Sequence, residues 1–166
     1  MNRAFIDGQN LYRGVSATAP EWQLDYARFR RYLREKYKVD EAYYYIGYYS
    51  SSNESLYDNL QRAGFILRFR ERVEEMITNK KGNVDTDIVF GIMRSIADND
   101  DFDKVVLVSG DGDYYRTVKY LVDKDRLEKV LFPNFKFASS LYYRQLSPKY
   151  YATLNTPSLR NKIGRR

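Results

Sequence analysis

Five aspartates stand at three separated places in the sequence, each where a strand is predicted to end or a helix to begin. They are Asp7, Asp85, Asp87, Asp111 and Asp113. Carboxylates that are held close together repel one another unless a cation neutralises them. Oxygen ligands without His or Cys select Mg²⁺ or Mn²⁺ over zinc, and such an ion activates water and stabilises charge on a phosphate. If the three places meet in the fold, they form a site for metal-dependent phosphate chemistry.

Each place on its own also has an ordinary structural explanation. Asp85 and Asp87 in a first helical turn interact favourably with the helix dipole. Asp7, like the Asp-Gly-Asp turn that starts at Asp111, can cap the helix that follows it. A metal site therefore requires that all three places converge on one end of the sheet.

The most informative stretch runs from Lys104 to Tyr115. Its first half, up to Val108, is a continuous aliphatic run that predicts a strand buried on both faces of a parallel sheet. A Ser-Gly break and two aspartates follow, and a segment with helical periodicity begins at Tyr115. Ligands of open α/β sheets bind at the carboxyl ends of the strands, so these aspartates face the usual position of a site.

The rest of the chain alternates strands with helices, which predicts a three-layer α/β sandwich with a mainly parallel central sheet. We expect one domain over residues 1–155 and a basic, flexible tail over 156–166. After the first strand we expect only a brief helical turn through Tyr12, and then a loop over residues 14–24. Further strands are predicted at Glu41–Gly47, Phe65–Arg72, Lys129–Phe132 and Tyr150–Leu154.

The composition limits the residue types that could catalyse a reaction or bind a partner. The 166 residues include no cysteine and no histidine, so hydrolysis must rest on carboxylates, hydroxyls, lysine or a hard metal. The net charge of +6 suits a polyanionic partner, although a basic charge that merely keeps the protein soluble explains it equally well. The 17 tyrosines could stack on unpaired bases or simply pack in the core.

The chain shows no run of the roughly 18 apolar residues that a membrane span needs. The N-terminal residues enter a predicted strand directly and lack the apolar stretch of a secretory signal. We therefore expect a cytoplasmic protein with no membrane partner.

Three stretches in order resemble the signature blocks of NYN domains, the LabA-like branch of the PIN-like ribonucleases. They are Phe5–Tyr12, Lys81–Asp87 and Val108–Tyr114. The resemblance implies a Rossmann-like PIN fold and RNA cleavage that depends on a divalent metal, Mg²⁺ or Mn²⁺. It also admits a homodimer, since many PIN-like domains pair.

The resemblance also implies roles for individual acids. Asp7, Asp85 and Asp111 would be the main metal ligands and catalytic residues. Asp113 would be a fourth carboxylate that binds metal or orients the attacking water, and Asp87 would be an acid of the outer shell.

Three further residues would contact the substrate or support the site. Asn10 would position the first carboxylate or a substrate phosphate, Ser109 would hydrogen-bond a phosphate or the Asp111 loop, and Lys81 would meet a phosphate. Two positions depart from the family pattern. Gln9 stands where Asn or another small polar residue is frequent, and Gly91 stands where an acid is frequent.

The sequence thus favours a metal-dependent ribonuclease, most simply an endonuclease, in which a metal-activated water cleaves the phosphodiester to leave a 5′-phosphate and a 3′-hydroxyl. The alternative is a non-catalytic RNA-binding or adaptor module that keeps the fold. A phosphatase with a nucleophilic aspartate ranks last, because Asp7-Gly8-Gln9 lacks the second acid of that motif.

Overall fold

The computed structural model describes residues 1–71 and 84–166, and these residues form a six-stranded sheet with helices on both faces. The strands are β1 (Asn2–Asp7), β2 (Val39–Ile46), β3 (Ile66–Phe69), β4 (Val105–Val108), β5 (Leu127–Phe132) and β6 (Tyr151–Thr153). The helices are α1 (Gly8–Ser16), α2 (Tyr26–Tyr37), α3 (Glu54–Ala63), α4 (Asp85–Ala97), α5 (Tyr115–Asp123), α6 (Ser140–Gln145) and α7 (Pro157–Ile163).

All strand pairs in the sheet are parallel, in the order β3-β2-β1-β4-β5-β6. The predicted α/β class with a parallel central sheet is therefore confirmed. Strands β1 and β4 are neighbours, with Ile6 opposite Val108, so Asp7 and Ser109 leave the sheet at the same level. This register places the two sequence-distant acidic segments at one edge.

The sheet separates two apolar cores. Helices α1, α2, α3 and α7 cover one face, where Phe29, Leu33 and Leu60 are fully buried. Helices α4, α5 and α6 cover the other face, where Ile88 and Ile92 of α4 are fully buried. Across residues 1–71 and 84–166, every helix falls short of the length and apolar character that crossing a membrane requires.

Helix α1 is longer than the brief turn that the sequence predicted. Leu11 and Val15 lie one helical turn apart and are both buried, so the helix continues through Ser16. Gly14 allows the helix to approach the chain after β5, since a Cβ there would lie 2.5 Å from the Cβ of Pro133.

The prediction of a flexible tail over residues 156–166 is wrong for most of that segment. Residues 157–163 form α7, and the Thr156 side chain caps it by accepting a hydrogen bond from the Leu159 amide. Ile163 is fully buried in the core beneath α2, and its carbonyl accepts a hydrogen bond from the Asp25 amide. The sequence of this helix contains only two large apolar residues among basic and polar ones. That is too few to predict that the helix packs against the core.

We expect the substitution Ile163→Ala to lower the free energy of unfolding by about 2–4 kcal/mol, because it opens a cavity in the core. Urea unfolding would measure the change. The matched control is Asn161→Ala at an exposed position of the same helix, for which we expect a change of less than about 0.5 kcal/mol. Equal, small effects of both substitutions would mean that α7 does not dock.

Candidate metal centre

Three carboxylates meet at the carboxyl edge of the sheet. Asp85 begins α4, whereas Asp111 and Asp113 lie in the turn that follows β4. One oxygen from each lies within 4.8 Å of the others. A set of oxygen ligands at this spacing fits a hard divalent cation. The three-aspartate group is therefore a site at which a metal ion could bind.

Asp7 joins this group through a hydroxyl. It ends β1 and is 3% exposed. Its Oδ1 accepts a hydrogen bond of 3.1 Å from the Asn10 amide and caps α1, whereas its Oδ2 lies 3.0 Å from the Tyr114 hydroxyl. The same hydroxyl lies 3.0 Å from Asp85 Oδ1. The fold thus brings all four predicted carboxylates into one cluster, with Asp7 on its buried side.

Tyr114 is a residue of the cluster that the sequence analysis missed. It is fully buried, and burial with the charges of Asp7 and Asp85 raises the pKa of its hydroxyl well above the ordinary value. The hydroxyl therefore keeps its proton and donates it to one carboxylate at a time. The only signal in the sequence is a tyrosine directly after Asp-Gly-Asp.

The electrostatics of the cluster oppose full ionisation. Burial raises the pKa of Asp85 to about 6, and the charges of Asp111 and Asp7 act in the same direction, although the Tyr114 hydrogen bond opposes them. Burial also raises the pKa of Asp7, against the hydrogen bonds from Asn10 and Tyr114. Such repulsion is what a bound cation would relieve.

Side chains on two elements hold the turn that carries Asp111. The Asn10 side-chain oxygen accepts a hydrogen bond of 2.9 Å from the Gly110 amide. Ser109 is fully buried, and its Oγ accepts a hydrogen bond of 3.1 Å from the Asp111 amide. Asp111 in turn accepts a bond of 2.9 Å from the Asp113 amide. The sequence predicts that Ser109 hydrogen-bonds either a phosphate or the Asp111 loop. In the structure it contacts the Asp111 loop.

Residues 138–142 contact the same turn. The Ser139 amide donates a hydrogen bond of 2.9 Å to the Gly110 carbonyl, and the Tyr142 hydroxyl donates one to the Asp111 carbonyl. A Cβ at Gly112 would lie 2.8 Å from Ser139 Oγ. No local pattern in the sequence predicts these contacts, because Tyr142 is 31 residues from Asp111.

One predicted residue does not join the cluster, and another lies outside the part of the chain that the structure describes. Asp87 faces a groove of about 700 Å³ beside α4, together with Tyr45 and Gly91. Lys81 lies outside the described residues. Gly91 has a packing role, because a Cβ there would lie 2.2 Å from the Tyr45 hydroxyl oxygen. The tyrosine occupies the space that an acid at this position would need.

A six-stranded parallel sheet with aspartates at its carboxyl edge is the arrangement of a PIN-like α/β protein. The family model of the NYN domain matches residues 4–145, so the chain belongs to the NYN domain family. The resemblance carried by the three sequence blocks is confirmed.

Two individual proteins are similar to the chain. The low amplitude and bright protein LabA of Synechococcus elongatus is 27% identical over 126 residues, which are 70% of this chain and 65% of LabA. The chain therefore aligns with less than two thirds of that relative. The crystal structure of a protein of unknown function from Vibrio parahaemolyticus superposes with a TM-score of 0.76 at 19% identity, covering 99% of this chain and 95% of the other. That likeness supports the fold.

We expect Asp85→Asn to stabilise the metal-free protein at pH 7.5 by about 1 kcal/mol. A pKa raised to about 6 means that the folded state binds the proton more tightly than the unfolded state, whose ordinary value is 3.8. The contribution of Asp85 to stability is therefore full below pH 3.8 and is lost as the pH rises through 6. The gain from the neutral amide should disappear near pH 4.

Thermal unfolding in EDTA at both pH values would measure this gain. Asp123→Asn, at an exposed position at the end of α5, is the control for replacing a carboxylate with an amide away from the cluster. Destabilisation by Asp85→Asn at pH 7.5 would contradict the repulsion described above.

We expect Gly91→Ala to cost about 1–2 kcal/mol, because its Cβ collides with the Tyr45 hydroxyl. In the Tyr45→Phe background the cost should fall by about 1 kcal/mol, since the colliding oxygen is gone. Urea unfolding of the two single variants and the double variant gives the coupling. Additive effects would show that the hydroxyl does not determine the residue at position 91.

Proposed function

We propose that this protein is a divalent-metal-dependent ribonuclease, most simply an endonuclease. The observation that carries the proposal is the meeting of Asp85, Asp111 and Asp113 within 4.8 Å, with Asp7 linked to them by Tyr114. Membership of the NYN domain family supports it, because this family is part of the PIN-like nucleases.

The donor set supports Mg²⁺ or Mn²⁺ as the cofactor, since it contains carboxylate oxygens alone and the chain has no His or Cys. Asp85, Asp111 and Asp113 would hold the ion, and Asp7 would add its charge from the buried side. When bound, the ion supplies Lewis-acid stabilisation of the phosphate and activation of the attacking water.

The residues of the chain have distinct roles in this proposal. Asp113 is exposed, so we assign it the orientation of the attacking water and the acceptance of its proton. Asp111 is held in place by Ser109 and Tyr142. Asn10 fixes the same turn through Gly110, and its neighbour Arg13 lies on the exposed side of α1. In-line attack then leaves a 5′-phosphate and a 3′-hydroxyl.

RNA is the proposed substrate because the family belongs to the PIN-like nucleases and the residues outside the cluster carry a net positive charge. Lysine and arginine number 28 against 22 acids, and four of those acids belong to the cluster. The remaining positive charge attracts the phosphates of RNA. The cluster binds the cation, which also contacts a phosphate.

We expect Asp111→Asn to reduce RNA cleavage by at least 100-fold, because it replaces one of three converging carboxylates with a neutral amide that binds a cation poorly. Purified protein would be incubated with 5′-labelled RNAs of mixed sequence in Mn²⁺ or in EDTA. Asp123→Asn, which is remote from the cluster, should cleave like the parent. Mn²⁺ should also raise the melting temperature of the parent more than that of Asp111→Asn.

The two readouts separate the possible outcomes. Cleavage that needs both Mn²⁺ and Asp111 supports the nuclease. Cleavage that survives in EDTA, or in Asp111→Asn at the rate of the parent, overturns the assignment of the site. RNA binding without cleavage by the parent identifies the non-catalytic binding module instead.

A further inference from the structure

Exposed aromatic rings stand on residues 135–143, the segment that contacts the Asp111 turn through Ser139. Phe137 is 59% exposed, Phe135 45% and Tyr143 38%, and Leu141 of the same segment is 37% exposed. The rings of Phe135 and Tyr143 pack with centroids 5.1 Å apart. We call these four residues the aromatic flank. Apolar surface gathered in this way marks an interaction site more often than scattered exposed residues do.

The aromatic flank is fixed to the acidic turn. Between its members, Ser139 donates to the Gly110 carbonyl, and the buried Tyr142 donates to the Asp111 carbonyl. A Cβ at Gly110 would lie 3.0 Å from the Cα of Ala138. A ligand that lies on the flank is therefore held at a fixed position relative to the carboxylates.

A cavity of about 260 Å³ lies between the flank and α1. Its wall includes Asn10, Arg13, Gly110, Asn134 and Phe137. This volume is just below the roughly 300–1,000 Å³ of pockets for whole small ligands, which leaves room for a single base. An aromatic ring on the wall of such a cavity can bind a base by stacking.

The segment of the chain that carries the flank has basic residues and no acids. No acid follows Glu128 in the sequence, whereas eight lysines and arginines do. Lys136 and Arg144 stand on the flank, and Arg13 stands beside the cavity; all three are exposed. Within the described part of the chain, none of the three forms an ion pair. They remain available for phosphates.

The groove beside α4 is the competing surface, but two of its arginines already have acidic partners. Arg3 pairs with Asp100 at 2.7 Å and with Glu41 at 3.4 Å. Arg94 pairs with Asp98 at 3.3 Å. A polyanion entering that groove would have to displace these carboxylates, so the aromatic flank is the better surface for phosphates.

We propose that the aromatic flank binds unpaired nucleotides of an RNA strand next to the phosphate that is cleaved. One base enters the cavity against Phe137, neighbouring bases stack on Phe135 and Tyr143, and Arg13, Lys136 and Arg144 contact phosphates. Bases in a duplex cannot present their faces to these rings, so the substrate is single-stranded. This inference rests on the proposed function only for its reference to cleavage.

Binding is tested apart from cleavage, in the Asp111→Asn background and in EDTA. Fluorescence anisotropy would follow a labelled 12-nucleotide RNA of mixed sequence, both free and annealed to its complement. Phe137→Leu should weaken binding of the free strand by at least about 5-fold, because one stacked base contributes about 1–3 kcal/mol. Phe137→Trp, which keeps a ring, should bind like the parent. The duplex should bind more weakly and respond little to either change.

Two aromatic controls lie elsewhere on the surface. Tyr120→Leu changes a 38% exposed ring on α5, and Phe90→Leu changes a 63% exposed ring in the groove beside α4. Both should leave binding unchanged. In a second measurement, Lys136→Gln and Arg144→Gln should each reduce the slope of log affinity against log salt by about 0.7, the value for one single-strand phosphate contact.

The proposal is overturned if Phe137→Leu binds like the parent, if Phe90→Leu causes the same loss, or if duplex and single strand bind equally. It is also overturned if Phe137→Leu converts a dimer into a monomer in sedimentation without changing RNA affinity. Ring-dependent binding of the single strand supports it. If that binding is present but protein with intact Asp111 does not cleave in Mn²⁺, the nuclease function fails and the binding surface stands.

Discussion

The acidic site depends on one buried hydroxyl between two carboxylates. Tyr114 has a single proton to donate, yet Asp7 and Asp85 each place an oxygen 3.0 Å from it. The shared donor holds β1 and the start of α4 at a fixed separation despite the repulsion between their charges. Burial and the charges of Asp111 and Asp7 raise the pKa of Asp85, and the Tyr114 hydrogen bond only partly opposes that rise.

The parallel sheet supplies the framework in which this interaction works. Because β1 and β4 are adjacent and in register, Asp7 and the Asp111 turn leave the sheet side by side. Asn10 and Tyr142 then fix that turn from opposite directions, through Gly110 and through the Asp111 carbonyl. The carboxylates are thus positioned by hydrogen bonds to rigid elements, which is the preorganisation that catalysis and metal binding both require.

The tyrosine excess has a partly structural explanation. Seven of the 17 tyrosines are buried. Tyr44 packs edge-to-face against Phe65, Tyr45 fills the space beside Gly91, and Tyr114 and Tyr142 support the acidic turn. Tyrosine suits these positions because its ring fills the core while its hydroxyl reaches a polar partner. On the surface, the aromatic flank adds exposed rings, and Tyr143 is its one tyrosine.

Local patterns in the sequence determined the parallel α/β fold, the order of its main elements and the four acids of the cluster. Apolar runs and helical periodicity act over a few residues, so they can be recognised without the fold. Tertiary structure alone decided that Tyr114 joins Asp7 and Asp85, that Tyr45 excludes an acid at Gly91, and that α7 docks through Ile163. Each of these depends on residues that are distant in sequence. Their proximity follows from strand order and register, which local periodicity does not encode.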